Sequence, residues 1–354
     1  MMNEIIPKIG ARLFLQEANN RIILDVRSPG EYEQGHIPGA HSFPLFTDEE
    51  RAQVGTLYTK SGREAAYFAG LDFVGPKMSS FVKKALRLAP HKRLLIHCWR
   101  GGMRSASMAW LLQSAGFNVS LLEGGYKSYR AHIREAFRVP VKLLVLSGMT
   151  GSGKTEILHE LRKKGAQMLD LEGVANHKGS AFGHIGQKPQ PSTEQYENDL
   201  AEIWRTFDFS KPVWIEDESR NVGKVNIPEP LFTAMSKATV IRVDFSKEYR
   251  INRLVEEYAG IDDEAIAESL LKIKDSLGLK NVQDLILLLS YQQYSVFVKK
   301  ILDYYDESYD YSLKRKAFAR IERYVPVGLT PVEQAAEILD FSKIYFTDIT
   351  DNER

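Results

Sequence analysis

The chain has 354 residues, 44% of them hydrophobic and 26% charged, a length that suggests about two soluble domains at ~100–200 residues each. Lys and Arg number 47 against 46 Asp and Glu, so the net charge of +1 names no partner. The single cysteine, Cys98, excludes disulfide scaffolds, zinc–thiolate sites and Cys-x-x-Cys redox pairs within one chain.

Charge is unevenly placed. Residues 51–140 carry 15 Lys/Arg against 4 Asp/Glu, whereas residues 141–354 carry 28 against 34. The basic excess, including Lys83, Lys84, Arg87, Lys92 and Arg93, suits an anionic ligand such as nucleic acid, phosphate or a sulfur oxyanion. It reads equally as a solvated basic face. Glu4, Lys8 and Arg12 interrupt any apolar leader, and the longest purely aliphatic run covers only residues 285–289. A membrane span needs ~20 apolar residues, so the expected location is the cytoplasm. No repeat or low-complexity tract is visible.

Short apolar runs at residues 22–26, 94–97 and 119–122 alternate with helical patterns. That alternation predicts a mostly parallel sheet in an α/β domain over residues 1–138. The second run ends at Cys98, and residues 105–113 read as the following helix. Between them, Trp99-Arg100-Gly101-Gly102-Met103-Arg104 bends the chain at a helix N-terminus. Backbone N–H groups there, with Arg100 and Arg104, favour thiolate over thiol and would cradle an oxyanion or a transferred chalcogen. The alternative is a buried structural cysteine.

Val139-Pro140 interrupts the pattern, and a new strand is expected at residues 142–146, opening a second domain over 141–354. Gly148-Met149-Thr150-Gly151-Ser152-Gly153-Lys154-Thr155 then matches G-x-x-x-x-G-K-[ST] between that strand and a helix. In this setting Gly148, Thr150, Gly151, Ser152 and Gly153 let backbone N–H groups close around phosphate oxygens. Lys154 would reach the terminal phosphates and the Thr155 hydroxyl would hold Mg²⁺. Further strands are expected at 168–171, 213–216 and 240–245. Glu216-Asp217-Glu218 ends the second of these, with Glu216 or Asp217 as a possible metal or outer-sphere ligand, Glu218 less so, and a helix cap as the alternative. The Gly- and Pro-rich stretch 176–191 is long for a connector. Its His177, Lys178, Ser180 and Phe182, with Arg220 further on, are candidate substrate contacts, or parts of a flexible surface loop. From Lys247 the chain reads as nearly all helical, with amphipathic stretches at 249–258, 263–277 and 282–305.

Leu24-Asp25-Val26-Arg27-Ser28-Pro29-Gly30-Glu31-Tyr32, Gly35-His36-Ile37-Pro38-Gly39-Ala40 and Leu122-Glu123-Gly124-Gly125-Tyr126 resemble the flanking signatures of rhodanese-like domains. In such domains Asp25, Arg27 and His36 fix turns and buried pairs. From Cys98 to Arg104 the loop spans seven residues, one more than in ordinary rhodaneses and similar to dual-specificity phosphatases of that fold. The ring therefore has room for a tetrahedral anion. Joined to the phosphate loop, and with residues 170–177 and 215–220, the whole resembles the tRNA 2-selenouridine synthase family. The resemblance fades after Ala259.

That resemblance implies two steps at the wobble 2-thiouridine of tRNAs for Lys, Glu and Gln. Geranyl diphosphate first alkylates the sulfur, and selenophosphate then supplies selenium. Cys98, Arg100 and Arg104 are the catalytic candidates it implies. A different chemistry on the same two domains would be an ATP-dependent sulfurtransferase, or a phosphatase coupled to a kinase-like domain. A third class is a nucleic-acid-binding regulator whose loops only sense ligands.

Overall fold

The computed structural model describes residues 5–259, 262–315, 318 and 320–345. Glu4 and the end of the chain from 346, both covered by the expectations above, lie outside the described residues. Two compact units divide between Ala136 and Phe137.

In the first unit, β1 (Lys8–Ile9), β2 (Ile22–Asp25), β3 (His41–Ser42), β4 (Arg93–His97) and β5 (Asn118–Leu122) form a parallel sheet in the order β1-β5-β4-β2-β3. Leu24, Leu94, Ile96, Val119 and Leu121 are almost fully buried, as expected for parallel strands covered on both faces. Helices α1 (Ala11–Glu17), α2 (Pro29–Gln34), α3 (Asp48–Lys60), α4 (Arg63–Val74), α5 (Met78–Leu88), α6 (Met103–Ser114) and α7 (Gly125–Ala136) connect them. Thr47 and Glu50 close a capping box at the start of α3.

Asp25 and Arg27 form a fully buried ion pair at 2.6 Å, and Arg27 also donates to the Gly35 carbonyl at 2.7 Å. Burial raises the Asp25 carboxyl, but the charges of His97 and Arg27 outweigh it and hold the group below its ordinary range. His36 stacks on Tyr32, with ring centroids 3.9 Å apart, and its Nδ1 lies 3.0 Å from the Tyr32 carbonyl. All three residues shape the turn after β2. Breaking the buried pair by removing one partner leaves an uncompensated charge, which typically costs ~3–5 kcal/mol.

In the second unit, β6 (Leu143–Ser147), β7 (Gln167–Leu169), β8 (Val213–Glu216), β11 (Thr239–Val243) and β12 (Arg320–Tyr324) form a parallel sheet ordered β12-β11-β6-β8-β7. A two-stranded antiparallel ribbon joins β9 (Asn221–Val222) to β10 (Val225–Asn226). Helix α8 (Lys154–Lys163) follows β6. The short α9 (Leu171–Ala175) and then α10 (Thr193–Trp204) lie between β7 and β8, and α11 (Glu229–Ser236) precedes β11. The strand expected at 168–171 stops at Leu169 because the Asp170 carboxylate accepts the Gly173 N–H at 2.6 Å and caps α9.

Helix α12 (Lys247–Tyr258) leads into a helical layer of α13 (Asp263–Lys272), α14 (Lys274–Leu277), α15 (Leu279–Ser290) and α16 (Tyr294–Arg315). Two expected helices are thus four. The break between α15 and α16 falls at Gln292, whose φ of 54° is left-handed. The C-terminal region is also not wholly helical, since β12 pairs with β11 from Thr239↔Arg320 to Val243↔Tyr324 before α17 (Pro331–Ser342) begins.

Candidate active sites

Both candidate loops leave the carboxyl end of a parallel strand and enter a helix N-terminus, the position where open α/β sheets bind ligands. Their side-chain surroundings differ.

In the second unit the loop runs from the end of β6 to Lys154. Gly153 is left-handed (φ 71°) at the N-cap of α8, which turns the preceding N–H groups into the loop. Ser152 is 1% exposed and donates to the Met149 carbonyl at 2.6 Å, so its hydroxyl shapes the loop from within. The Thr150 carbonyl accepts from Arg250 at 3.2 Å, and Arg250 is held by Asp306 through two bonds of 2.8 Å. An α12–α16 ion pair therefore braces the loop from behind. Lys154 Nζ rests on the Gly148 carbonyl at 2.8 Å, and Thr155 Oγ1 donates to Glu172 at 3.1 Å.

These groups open onto a cleft of about 420 Å³. Glu172, Asp217 and Glu218 line it with the loop, as do Phe182, Tyr258 and Tyr305. Asp217 accepts from Ser147 Oγ at 2.6 Å. Burial, then the charge and hydrogen bond of Glu172, push the Glu218 carboxyl well above its usual range. The Glu218 carboxyl therefore favours its protonated form beside Glu172. Glu172 has no role predicted from the sequence and Glu218 only a lesser one. The Asp-Leu-Glu run after β7 is the one hint at Glu172, and nothing local reveals its pairing with Glu218.

Glu216 lies outside this cleft. It is 1% exposed, accepts the Leu171 N–H at 2.9 Å, and is raised well above its usual range by burial and by Asp170 and Glu172. It holds the start of α9 rather than facing a ligand. Among the long-loop candidates, His177, Lys178, Ser180 and Phe182 all line the cleft. Burial lowers the His177 pKa, with His184 adding to the effect. Lys178 pairs with Glu257 at 2.6 Å. Ser180 Oγ accepts the Phe182 N–H at 3.2 Å. Phe182 is only 3% exposed and packs edge-on against Tyr258 at 5.7 Å, so it forms the wall of the cleft instead of projecting toward a base. Arg220 is not in the cleft, and its guanidinium pairs with Glu229 at 2.5 Å on the exposed surface.

Thr155, Glu172, Asp217 and Glu218 line the cleft together with the phosphate loop, and their oxygens are the donor type that a hard divalent cation takes. Among the described residues no group of three His, Cys, Asp or Glu converges as a protein-only metal site. Phosphate and water normally complete the shell of a phosphate-loop cation.

In the first unit Cys98 follows β4 and is 3% exposed, with its sulfur 3.2 Å from Ser105 Oγ. Its carbonyl accepts the Tyr126 N–H at 2.8 Å, and the Trp99 carbonyl accepts that of Lys127 at 3.0 Å. The loop is therefore clamped along the start of α7. Gly125 (φ 64°) permits this, since a Cβ there would strike the Cys98 carbonyl and the Gly101 nitrogen. Arg100 is exposed. Arg104 is half-buried and bonded to Glu31 at 2.5 Å. Burial would lower the Arg104 pKa, but Glu31 more than reverses this, and Arg104 in turn outweighs the burial that raises Glu31. Its charge is thus already matched inside the protein. Along α5, Lys83 and Arg87 are exposed, while Lys84 donates to the Ser42 carbonyl at 3.2 Å and lies 4.9 Å from the centre of the Phe43 ring.

Fold and sites together define a fusion of a cysteine-loop α/β unit with a phosphate-loop α/β unit. Residues 13–132 match the rhodanese-like domain family, and residues 141–324 match the tRNA 2-selenouridine synthase AAA domain. A tRNA 2-selenouridine synthase from Shewanella frigidimarina is 36% identical over 353 residues, covering 89% of this chain and 94% of its own. One from Nitrosomonas europaea is 38% identical over 244 residues, covering 67% and 63%. One from Bdellovibrio bacteriovorus is 40% identical over 263 residues, covering 70% and 66%. The chain belongs to the tRNA 2-selenouridine synthase family. Among the described residues no helix is long and apolar enough to cross a membrane.

Proposed function

We propose that this enzyme converts the wobble 2-thiouridine of tRNAs for Lys, Glu and Gln to 2-selenouridine in the cytoplasm, by way of an S-geranyl intermediate. The single observation that carries the choice of donor is the composition of the second-unit cleft. The phosphate loop and Lys154 line it together with Phe182, Tyr258 and Tyr305, a mix of phosphate-binding and aromatic groups that suits a diphosphate bearing a short apolar chain.

In the first step the thiouridine sulfur attacks the first geranyl carbon, the carbon–oxygen bond breaks, diphosphate leaves with the electron pair, and the N3 proton of the base is lost to water. Lys154 and the loop N–H groups meet the charge that develops on the leaving oxygen. Mg²⁺ held through Thr155, with Glu172 and Asp217 facing it, would neutralise part of the same charge when bound. Alkylation turns a poor leaving group into a good one.

In the second step the nucleophilic selenium of selenophosphate adds to C2 of the base. The carbon–sulfur bond breaks, its electron pair leaves on geranylthiolate, which takes a proton, and water cleaves the phosphorus–selenium bond to give phosphate. Cys98 and Arg100 with the N–H groups of their loop would hold the tetrahedral donor. Arg104, tied to Glu31, positions that loop.

Mass spectrometry of tRNA nucleosides after incubation with each donor separately distinguishes the possibilities. Geranyl diphosphate alone should give the S-geranyl nucleoside, and adding selenophosphate should convert it to 2-selenouridine. Formation of 2-selenouridine from ATP and selenophosphate, with no S-geranyl species at any time, would overturn the reading.

A further inference from the structure

Helices α3 and α4 add 25 residues between β3 and α5 yet give little to the core. Helix α3 buries none of its residues and α4 only Ala66. Val54, Phe73 and Val74 pack against the core, and Val54, Tyr58, Tyr67, Leu71 and Val74 line a groove of about 160 Å³ together with Leu45 and Phe46. Large apolar groups stand exposed around it, with Tyr58 at 59%, Tyr67 at 47%, Leu71 at 49% and Met103 at 46%. Such a cluster on a folded unit marks a binding surface.

What the groove adjoins narrows its occupant. Met103 and Arg104, the last residues of the cysteine loop, form one side of its mouth. They share a helical turn with Ser105, whose hydroxyl touches the Cys98 sulfur at 3.2 Å. A group bonded to an atom reacting at the Cys98 loop would therefore lie beside the groove. Arg63, exposed on α4, lends the groove a cation that Glu31 does not neutralise as it does Arg104, which suits a polyanionic substrate carrying an apolar substituent.

We propose that the α3–α4 groove binds the geranyl chain of the S-geranyl-2-thiouridine tRNA while its sulfur is displaced. This assignment rests on the two-step reading above. It gives the first unit a prenyl subsite of its own, apart from the donor cleft of the second unit. Burying the chain contributes binding through apolar area removed from water and aligns the carbon–sulfur bond with the cysteine loop.

The test uses the full-length enzyme, selenophosphate, and two pre-alkylated tRNAs, one S-geranyl and one S-methyl. Because one methylene in an apolar pocket is already worth ~10–200-fold in selectivity, the wild-type kcat/KM should favour the geranyl substrate by about a hundredfold or more. Leu71→Glu places a charge at a half-exposed position of the groove. It should lower kcat/KM for the geranyl substrate at least ~10-fold, mainly through KM, and leave the methyl substrate and the geranylation of 2-thiouridine tRNA unchanged. Ser107→Trp, which fills the groove from its exposed rim, should act in the same way and guards against a peculiarity of the first variant. If both variants keep the wild-type geranyl preference, or slow both substrates equally, the groove does not hold the prenyl chain. If the wild-type enzyme fails to convert S-geranyl tRNA at all, it is the two-step reading that has failed.

Discussion

The two ligand loops of this chain share one backbone design and spend their charge differently. In the second unit, Lys154 rests on a neutral carbonyl and the facing carboxylates crowd one another. On the function proposed, that site has electrostatic work left to do for a phosphate and a cation. In the first unit, Arg104 is matched by Glu31 and the cysteine is covered. That loop is held in shape first, with Arg100 left as its exposed cation. A strand–loop–helix junction is thus a generic anion cradle, and the side chains opposite it decide whether it meets its ligand with free charge or with fixed geometry.

The largest effect expected from this contrast is at Cys98. Cys98→Ala should reduce selenation of pre-geranylated tRNA to background while geranylation of 2-thiouridine tRNA proceeds, as read by nucleoside mass spectrometry. Equal loss of both would erase the distinction between the loops. Next comes Lys154→Ala, which removes a donor to developing charge. It should slow geranylation by ~10²–10³-fold and spare conversion of pre-geranylated tRNA. An ATP-driven sulfurtransferase would need both loops at every turnover, so loss of that second activity in a folded, tRNA-binding variant would count against separate roles.

A smaller effect belongs to the basic helix α5. Neutralising Lys83, Lys84 and Arg87 together should lower the slope of log affinity for tRNA against log salt by about 0.7–0.9 for each phosphate left without its cation. Lys84 already has partners at Ser42 and Phe43, so its share should be the least. An unchanged slope would make this a merely solvated face.

The smallest effect concerns Glu216. Its folded pKa lies well above the ordinary 4.5, so from that pH upward the unfolded chain releases a proton that the native state keeps. Stability therefore falls as pH rises, until the folded group itself ionises. Glu216→Gln can still accept the Leu171 N–H and should flatten this decline, with a gain in stability toward neutral pH. Urea melts from about pH 5 to about pH 8 would show it. A variant with the wild-type pH slope would place the titration elsewhere in the acidic group.

Much of this architecture is legible in the sequence because it follows from local rules. Buried parallel strands read as short apolar runs, and both loops lie where glycines follow such runs. What escapes depends on position in the fold. Strand β12, Arg320–Tyr324, carries three charges and a single aliphatic residue, Ile321, because it is an exposed sheet edge. The α15–α16 break falls on Gln292, without the glycine or proline that would announce it. Helices α3 and α4 have faces turned to a groove, so they carry no core stripe to detect. Within the sites, residue types are legible and pairings are not. Glu31 meets Arg104 across 73 positions of sequence, and Glu216 differs from Asp217 only in which side of the strand end it faces. Nothing local records that Glu172 lies against Glu218.

The close approach of Gly125 to the cysteine loop has a mechanical consequence. Two stretches of main chain meet there with no side chain between them, from the Cys98 carbonyl to the Gly101 nitrogen. A joint of this kind has no cushion, because there are no rotamers to absorb a small displacement. Any shift at the start of α7 is delivered directly to the loop that presents Cys98, and the reverse holds as well. The segment after β5 is in effect the anvil of the site. Selection can adjust the side chains around Cys98 one at a time, but this joint can change only if both strands of backbone move together.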